Sequence, residues 1–257
     1  MTSAEEAAVE AVARLVHTCA DILGANLVSA ILHGSLTTDD FQPGESDLDL
    51  LLVVERGLTS VQSDALVEAV RTADLGPAAG IDLLVVTRQT AGSSPDSPAR
   101  ELMVGYRPGS GDWDVEGRDD HVPDVWPELS EARTNGRSLM GPEPRDVLGE
   151  VPRDSVRENG TAWLRIWLGL TDDEENAVYM VLTACRMWAF AVTGAHMSKT
   201  AAARWALEQD PSLRGVELAL SARTTSAAPR ITAQQVEEVL LRALRDHDIR
   251  RRHAACP

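Results

Sequence analysis

Lysine is almost missing from this chain of 257 residues: Lys199 stands alone, and the other 23 of the 24 basic residues are arginine. Basic charge as a whole is in deficit, since 40 aspartates and glutamates face those 24 and leave a formal charge of -16. Such a balance excludes the ordinary nucleic-acid binder, whose footprint is a basic patch. It favours cationic partners, or a metal ion that bridges to an anion. No apolar run reaches the roughly 18–20 residues a membrane helix needs. The longest candidate, Tyr179 to Val192, is too short and contains Arg186. The first ten residues are acidic and carry no basic segment of the kind that opens a signal peptide. Cysteine is also scarce. Cys19, Cys185 and Cys256 are odd in number and lie far apart, without ligand spacing. They read as incidental thiols of a reducing cytoplasm, where the protein is expected to reside as a monomer.

What is present is a globular composition, 44% hydrophobic and 25% charged. Ser3 and Glu6 have capping-box spacing. Val9, Val12, Val16, Cys19 and Leu23 then recur at helical intervals up to a stop at Gly24. Leu27 to Leu32 reads as a buried strand running into His33-Gly34-Ser35, and a loop follows through Thr37 to Ser46. A second strand is expected from Asp47 to Val54, a helix from Ser60 to Ala73, and a third strand from Ile81 to Val86. Thr90 to Ser97 and Pro108 to Val122 are rich in Gly, Ser, Pro and Asp and read as loops. Asp124 is expected to open a helix to about Asn135. Strands are thus expected in the first third only.

The stretch from Gly141 to Val151 holds the best domain boundary, and helices are expected beyond it at 154–168, 174–192, 198–209 and 233–250. The expected fold is an α/β domain with a mixed sheet over residues 1–150, followed by an all-α helical-bundle domain over 151–257.

The strongest chemical signal is a set of carboxylates. Ser46-Asp47-Leu48-Asp49 opens the second strand and Asp82 opens the third. Residues two apart on a strand share a face at about 6–7 Å. Asp47 and Asp49 therefore point together, and Asp82 joins them if the two strands are neighbours. Three converging carboxylates repel one another unless a cation sits among them. An all-oxygen set suits Mg²⁺, which takes its remaining ligands from water and phosphate. Gly34-Ser35 supplies the complement, because glycine lets a backbone approach phosphate closely and a serine hydroxyl can bind its oxygens.

With Gly34-Ser35, Ser46-Asp47-Leu48-Asp49 and Asp82 in this order, the chain resembles the nucleotidyltransferase superfamily. Arg100-Glu101-Leu102, Gly105, the segment from Gly136 to Pro142, and the stretch from Trp167 to Trp205 narrow the likeness. They resemble the aminoglycoside adenylyltransferases that modify streptomycin and spectinomycin, over roughly residues 20 to 210. The resemblance implies antibiotic resistance through an ATP-dependent transfer of AMP, with Mg²⁺ and pyrophosphate release. It also implies a cationic drug held in a cleft between the domains. Asp47 and Asp49 match the metal ligands. Asp82 matches a carboxylate that takes the proton of the drug hydroxyl and shares the metal. Gly34, Ser35, Ser46, Asp124 and Lys199 match nucleotide-binding positions, and Trp167, Asp172 and Asn176 match drug-reading positions.

Four departures from that pattern stand out. Asp82 replaces the family's glutamate and is one methylene shorter. Asn176 replaces an aspartate. A drug-packing tryptophan falls near Tyr106-Arg107, where a cation would be repelled if Arg107 points inward. An aromatic expected beside the adenine falls around Ser226. The alternatives left open are another acceptor (a lincosamide, another small molecule or a protein hydroxyl) and a non-catalytic nucleotide-binding relative.

Overall fold

A computed structural model describes residues 1–92, 98–224 and 230–254, with side chains through His247. Ser93 to Ser97, Ser226, the side chains of Arg250 to Arg252, and Cys256 lie outside the described residues. The chain divides into two compact units, Met1–Pro152 and Arg153–Pro257.

The first unit is built on a six-stranded sheet. In chain order it comprises α1 (Ser3–Leu23), β1 (Leu27–His33), β2 (Asp47–Val54), α2 (Ser60–Thr72), β3 (Gly80–Thr87) and α3 (Arg88–Gly92). It continues with β4 (Leu102–Arg107), β5 (Asp112–Glu116), α4 (Val125–Asn135), β6 (Arg137–Met140) and α5 (Pro144–Val147). The strand order is β5-β4-β3-β2-β1-β6. Only β2 and β3 run parallel, with α2 as their crossover, and the other pairs are antiparallel. The sheet is therefore mixed.

Two apolar layers sandwich this sheet. Leu48, Leu50, Leu52, Val54, Ile81, Leu83, Val85, Leu102 and Val104 face the cluster that holds α1 and α2. Ile31, Leu51, Val53, Leu84 and Val86 face the opposite cluster, which holds Ala91, Val125, Leu129, Ala132 and Val147. A strand covered on both sides reads as a continuous apolar run, as Leu50 to Val54 does.

Several expectations need correction. The cap of α1 is Thr2, whose side chain accepts from the Glu5 N–H while Glu5 reaches back. Thr2 and Glu5 have the same spacing as Ser3 and Glu6, and the earlier pair adds a residue to the helix. Strands are not confined to the first third: β4, β5 and β6 follow, and β5 lies inside the expected loop 108–122. β5 does alternate, as Asp112-Trp113-Asp114-Val115-Glu116, but it spans only five residues between glycine-rich turns and buries none of them. Thr90 lies in α3, and α5 interrupts the expected boundary stretch.

The second unit is wholly helical among its described residues: α6 (Arg153–Trp167), α7 (Ala177–Thr193), α8 (Lys199–Gln209), α9 (Arg214–Ala222) and α10 (Ala233–Ala254). The nine-residue α9 has no counterpart among the expected helices. α7 begins three residues later than its pattern implies, so Asp172 to Glu175 lie in turns before its cap, Asn176. α7 is the central helix: Ala177, Met180, Val181, Ala184, Cys185, Trp188 and Ala189 all join the core. Trp188 is fully buried, donates to Asp246 Oδ2 at 2.7 Å, and meets Trp205 edge-on at 5.1 Å. These tryptophans pack, as their spacing suggests. Cys19 and Cys185 are free and buried, and burial pushes both thiols up to about 12.

Candidate active site

Strand parity assembles the acidic site. Asp47 and Asp49 share a face with Leu51 and Val53, and Asp82 shares it with Leu84 and Val86. In the parallel β2–β3 ladder Asp49 is the register partner of Asp82, and Asp47 that of Gly80. Across the antiparallel β1–β2 ladder His33 faces Asp49. One end of this sheet face is thus apolar and covered by helices, while the other carries three carboxylates and an imidazole.

Asp47 and Asp82 do not stand free. Arg107, at the end of β4, places its Nη2 at 2.7 Å from Asp47 Oδ2 and 2.8 Å from Asp82 Oδ2. Its Nη1 donates to Asp82 Oδ1 at 3.0 Å. Parity again decides the pose. Val104 and Tyr106 turn to the α1–α2 side, so Met103, Gly105 and Arg107 turn to the acidic side. Hydrogen bonds to Asp82 raise the guanidinium's already high pKa, and burial opposes them.

Asp49 has a different environment. Burial pushes its carboxyl up to about 7; His33 opposes that shift, while Asp82, Glu128 and Glu131 add to it. A Cβ on Gly34 would lie only 1.9 Å from Asp49 Oδ2. Gly34 has φ +70°, a left-handed conformation that glycine adopts without strain. The carboxylate therefore lies against the Gly34 backbone in a cradle that any side chain would fill.

The turn after β1 is knit by its own threonines, with Thr37 and Thr38 both donating to the Gly34 carbonyl at 3.0 Å. Within it the Ser35 hydroxyl is buried and has no partner among the described residues. A buried polar atom left this way costs free energy unless a ligand satisfies it. Ser46 is occupied: its hydroxyl accepts from the Gln42 N–H at 3.0 Å and closes the loop into β2. Asp124 is exposed at the start of α4, one turn before Glu128. Glu128 reaches to 3.8 Å from His33 Nδ1. Sequence reasoning passes over Glu128, although its four-residue spacing from Asp124 on one helix is a usable signal.

The expected drug-reading residues belong to the second unit, as does Lys199. Trp167 closes α6 and is largely buried, between Trp163 at 5.9 Å and the edge of Tyr179 at 5.8 Å. Tyr179 is absent from the residues that sequence reasoning selects. It is 51% exposed, with Lys199 Nζ 5.4 Å from its ring centroid. It sits three residues after Asn176, hence on the same helix face. Asn176 is held by Asp173, donating through Nδ2 at 2.8 Å and through its backbone at 3.2 Å. Asp172 is exposed.

Do these residues fit a divalent cation? Among the described residues no three His, Cys, Asp or Glu side chains converge tightly enough to hold an ion as they stand. The donor chemistry nevertheless fits. One cationic nitrogen already bridges the oxygens of Asp47 and Asp82, and the three carboxylates at this sheet end offer hard oxygen donors. Asp47 and Asp82 would hold the ion, with Asp49 beside them.

The chain is similar to known proteins over much of its length. Residues 146–245 match the family described as aminoglycoside adenylyltransferase, C-terminal domain. A spectinomycin 9-adenylyltransferase of Staphylococcus aureus is 28% identical over 194 residues, 73% of each chain. Over these spans the chain is similar to the aminoglycoside adenylyltransferases. An aminoglycoside (3'')(9) adenylyltransferase of Klebsiella pneumoniae is 26% identical over 208 residues, 74% of each chain. The fold matches a crystal structure of the spectinomycin adenyltransferase AAD(9) of Enterococcus faecialis, solved with ATP and spectinomycin. That match has a TM-score of 0.74 at 19% identity and covers 93% of this chain and 99% of the other. The relatives are named as adenylyltransferases, and the AAD(9) structure shares this chain's fold.

Proposed function

We propose that the protein transfers AMP from ATP to a hydroxyl of an aminoglycoside-type cation, spectinomycin or streptomycin, with Mg²⁺ as cofactor and pyrophosphate as the leaving group. The observation that carries this reading is the sheet end where Asp47, Asp49 and Asp82 stand beside the Gly34-Ser35 turn. The relatives named for spectinomycin and aminoglycoside adenylyl transfer support it.

In this reading Asp47 and Asp82 would hold the ion together with Asp49, which lies against Gly34. A bound Mg²⁺ supplies neutralisation of charge on the α-phosphate and the departing pyrophosphate. Gly34 lets the backbone approach the nucleotide, and the unpartnered Ser35 hydroxyl donates to a phosphate oxygen. The acceptor hydroxyl gives its proton to Asp82 as its oxygen bonds to the α-phosphorus and the bond to pyrophosphate breaks. Lys199, a compact ammonium, pairs with the phosphates. Tyr179 offers aromatic surface, backed by the largely buried Trp167, and Asp172 a carboxylate, to a cationic sugar. Residues 1–150 would then form the nucleotidyltransferase domain and 151–257 the substrate-binding domain of a monomer in the cytoplasm.

The test is incubation of the purified protein with Mg-ATP and each drug, read by mass spectrometry. One AMP unit added to a drug is expected, and Asp47→Asn is expected to lower that rate by roughly 10³-fold or more with its circular dichroism unchanged. A protein that binds ATP yet modifies neither drug overturns the acceptor assignment. Full activity in Asp47→Asn overturns the metal site.

A further inference from the structure

Arg107 is the feature the proposed chemistry does not absorb. A catalytic centre that must take up a divalent cation already holds a fixed positive charge, bound to two of its three acids by three charge-assisted hydrogen bonds. Its pose is built into the sheet. The side chain crosses Gly80, where a Cβ would lie 2.6 Å from Arg107 Cγ and 2.6 Å from Asp47 Oδ1. It ends beside Gly105, where a Cβ would lie 3.4 Å from Nη1 and 3.2 Å from Asp82 Oδ1. Two glycines on adjacent strands thus open a lane that the guanidinium fills. The group is still reachable from water: Arg107 is 34% exposed, Asp47 25% and Asp82 29%.

We infer that Arg107 is a resident counterion that couples metal binding to nucleotide binding. With no metal ion bound, the guanidinium neutralises Asp47 and Asp82 and prevents their mutual repulsion. A divalent cation arriving alone must displace it and leave it unpaired in a half-buried lane, so the bare ion binds weakly. A nucleoside triphosphate arriving with the ion gives the displaced guanidinium new anionic oxygens, for which its planar fork is suited. The same displacement releases both oxygens of Asp82 from the guanidinium, one to face the ion and the other to receive the acceptor's proton. Metal and nucleotide therefore favour each other's binding, and by linkage the coupling is equal in both directions. This inference rests on Asp47 and Asp82 being the metal ligands.

The experiment is titration of the full-length protein with Mn²⁺ alone, followed by electron paramagnetic resonance of the free ion. It is then repeated with a non-hydrolysable ATP analogue present. Arg107→Met is expected to bind Mn²⁺ alone roughly tenfold or more tighter than the wild type, since a competing set of charged hydrogen bonds is gone. Its gain in Mn²⁺ affinity on adding the analogue should shrink correspondingly. Arg107→Lys, with a point charge that cannot make the three-bond bridge, should fall between the two. In EDTA the melting temperature of Arg107→Met should drop and be restored by Mn²⁺. Asp47→Asn separates the two failures. If it abolishes Mn²⁺ binding while Arg107→Met binds no tighter than the wild type, the metal site stands and the counterion role is overturned. If Asp47→Asn binds Mn²⁺ as the wild type does, the metal assignment fails and the inference with it.

Discussion

Leu51, Val53, Leu84 and Val86 project from the same face of the same two strands as Asp47, Asp49 and Asp82, yet the two ends of that face have opposite chemistry. At the apolar end helices α3, α4 and α5 contribute Ala91, Val125, Leu129, Ala132 and Val147, and Val53 and Val86 lose all contact with water. At the other end the nearest group is another strand's arginine, and Asp47 and Asp82 remain partly wet. Strand parity sets which residues face the same way. What lies on top of them sets whether a carboxylate there costs stability or can serve as a site.

The largest expected effect comes from moving charge across that divide. Val86→Asp places an unpaired carboxylate in the covered end and should cost about 4 kcal/mol or more, enough to abolish cooperative folding or soluble yield. The converse change, Asp47→Leu at the open end, should shift the urea midpoint by less than about 1 kcal/mol equivalent, as partly exposed ion pairs contribute little. A comparable loss from both would mean that coverage does not distinguish the two ends.

A middle-sized effect is expected at the turn between them. Gly34→Ala adds a Cβ at a left-handed φ and drives it against the Asp49 carboxylate. The conformation alone costs about 1–2 kcal/mol. Asp49 must also rotate away, so binding of Mg-ATP by calorimetry should weaken along with the urea midpoint. Unchanged ATP affinity in a destabilised Gly34→Ala would show that the cradle is structural only.

Much of the open end is legible in the sequence, and the reasons are physical. β2 states both of its environments in eight letters: alternation where one face is open, at Asp47 to Asp49, then a continuous apolar run where both faces are covered. β3 opens with Asp82 in the same way, so a shared face can be read from period alone. The direction of Arg107 cannot be read, because it depends on the register of β4 beside β3, and β4 is interrupted by Gly105. β5 alternates polar and apolar residues yet is easily passed over, because it is five residues long and set among glycines and aspartates, and α9 is missed because it is short. In the helical unit Trp188 and Trp205 follow from core spacing. The contact of Lys199 with Tyr179 joins two helices and has no local signature.

The last effect is the most discriminating, because it concerns the one of the three site carboxylates that Arg107 does not hold. Burial lifts Asp49 from its ordinary 3.8 to about 7 in the folded protein. Between those values the native state keeps a proton that the unfolded chain has released, so stability is given up as pH rises through that window and is level above it. A tenfold change in proton affinity is worth about 1.4 kcal/mol at most, and relaxation and water reduce the total, leaving about 1–2 kcal/mol. Asp49→Asn removes the titration. In EDTA at pH 8 it should therefore melt a few degrees higher than the wild type, and the gap should close as the pH is lowered toward 4. With Mg-ATP present the order should reverse, since the ion stabilises an ionised Asp49 and gains less from an amide. A gap in EDTA that ignores pH would place Asp49 among ordinary solvated carboxylates and remove the contrast between it and the two acids bound to Arg107.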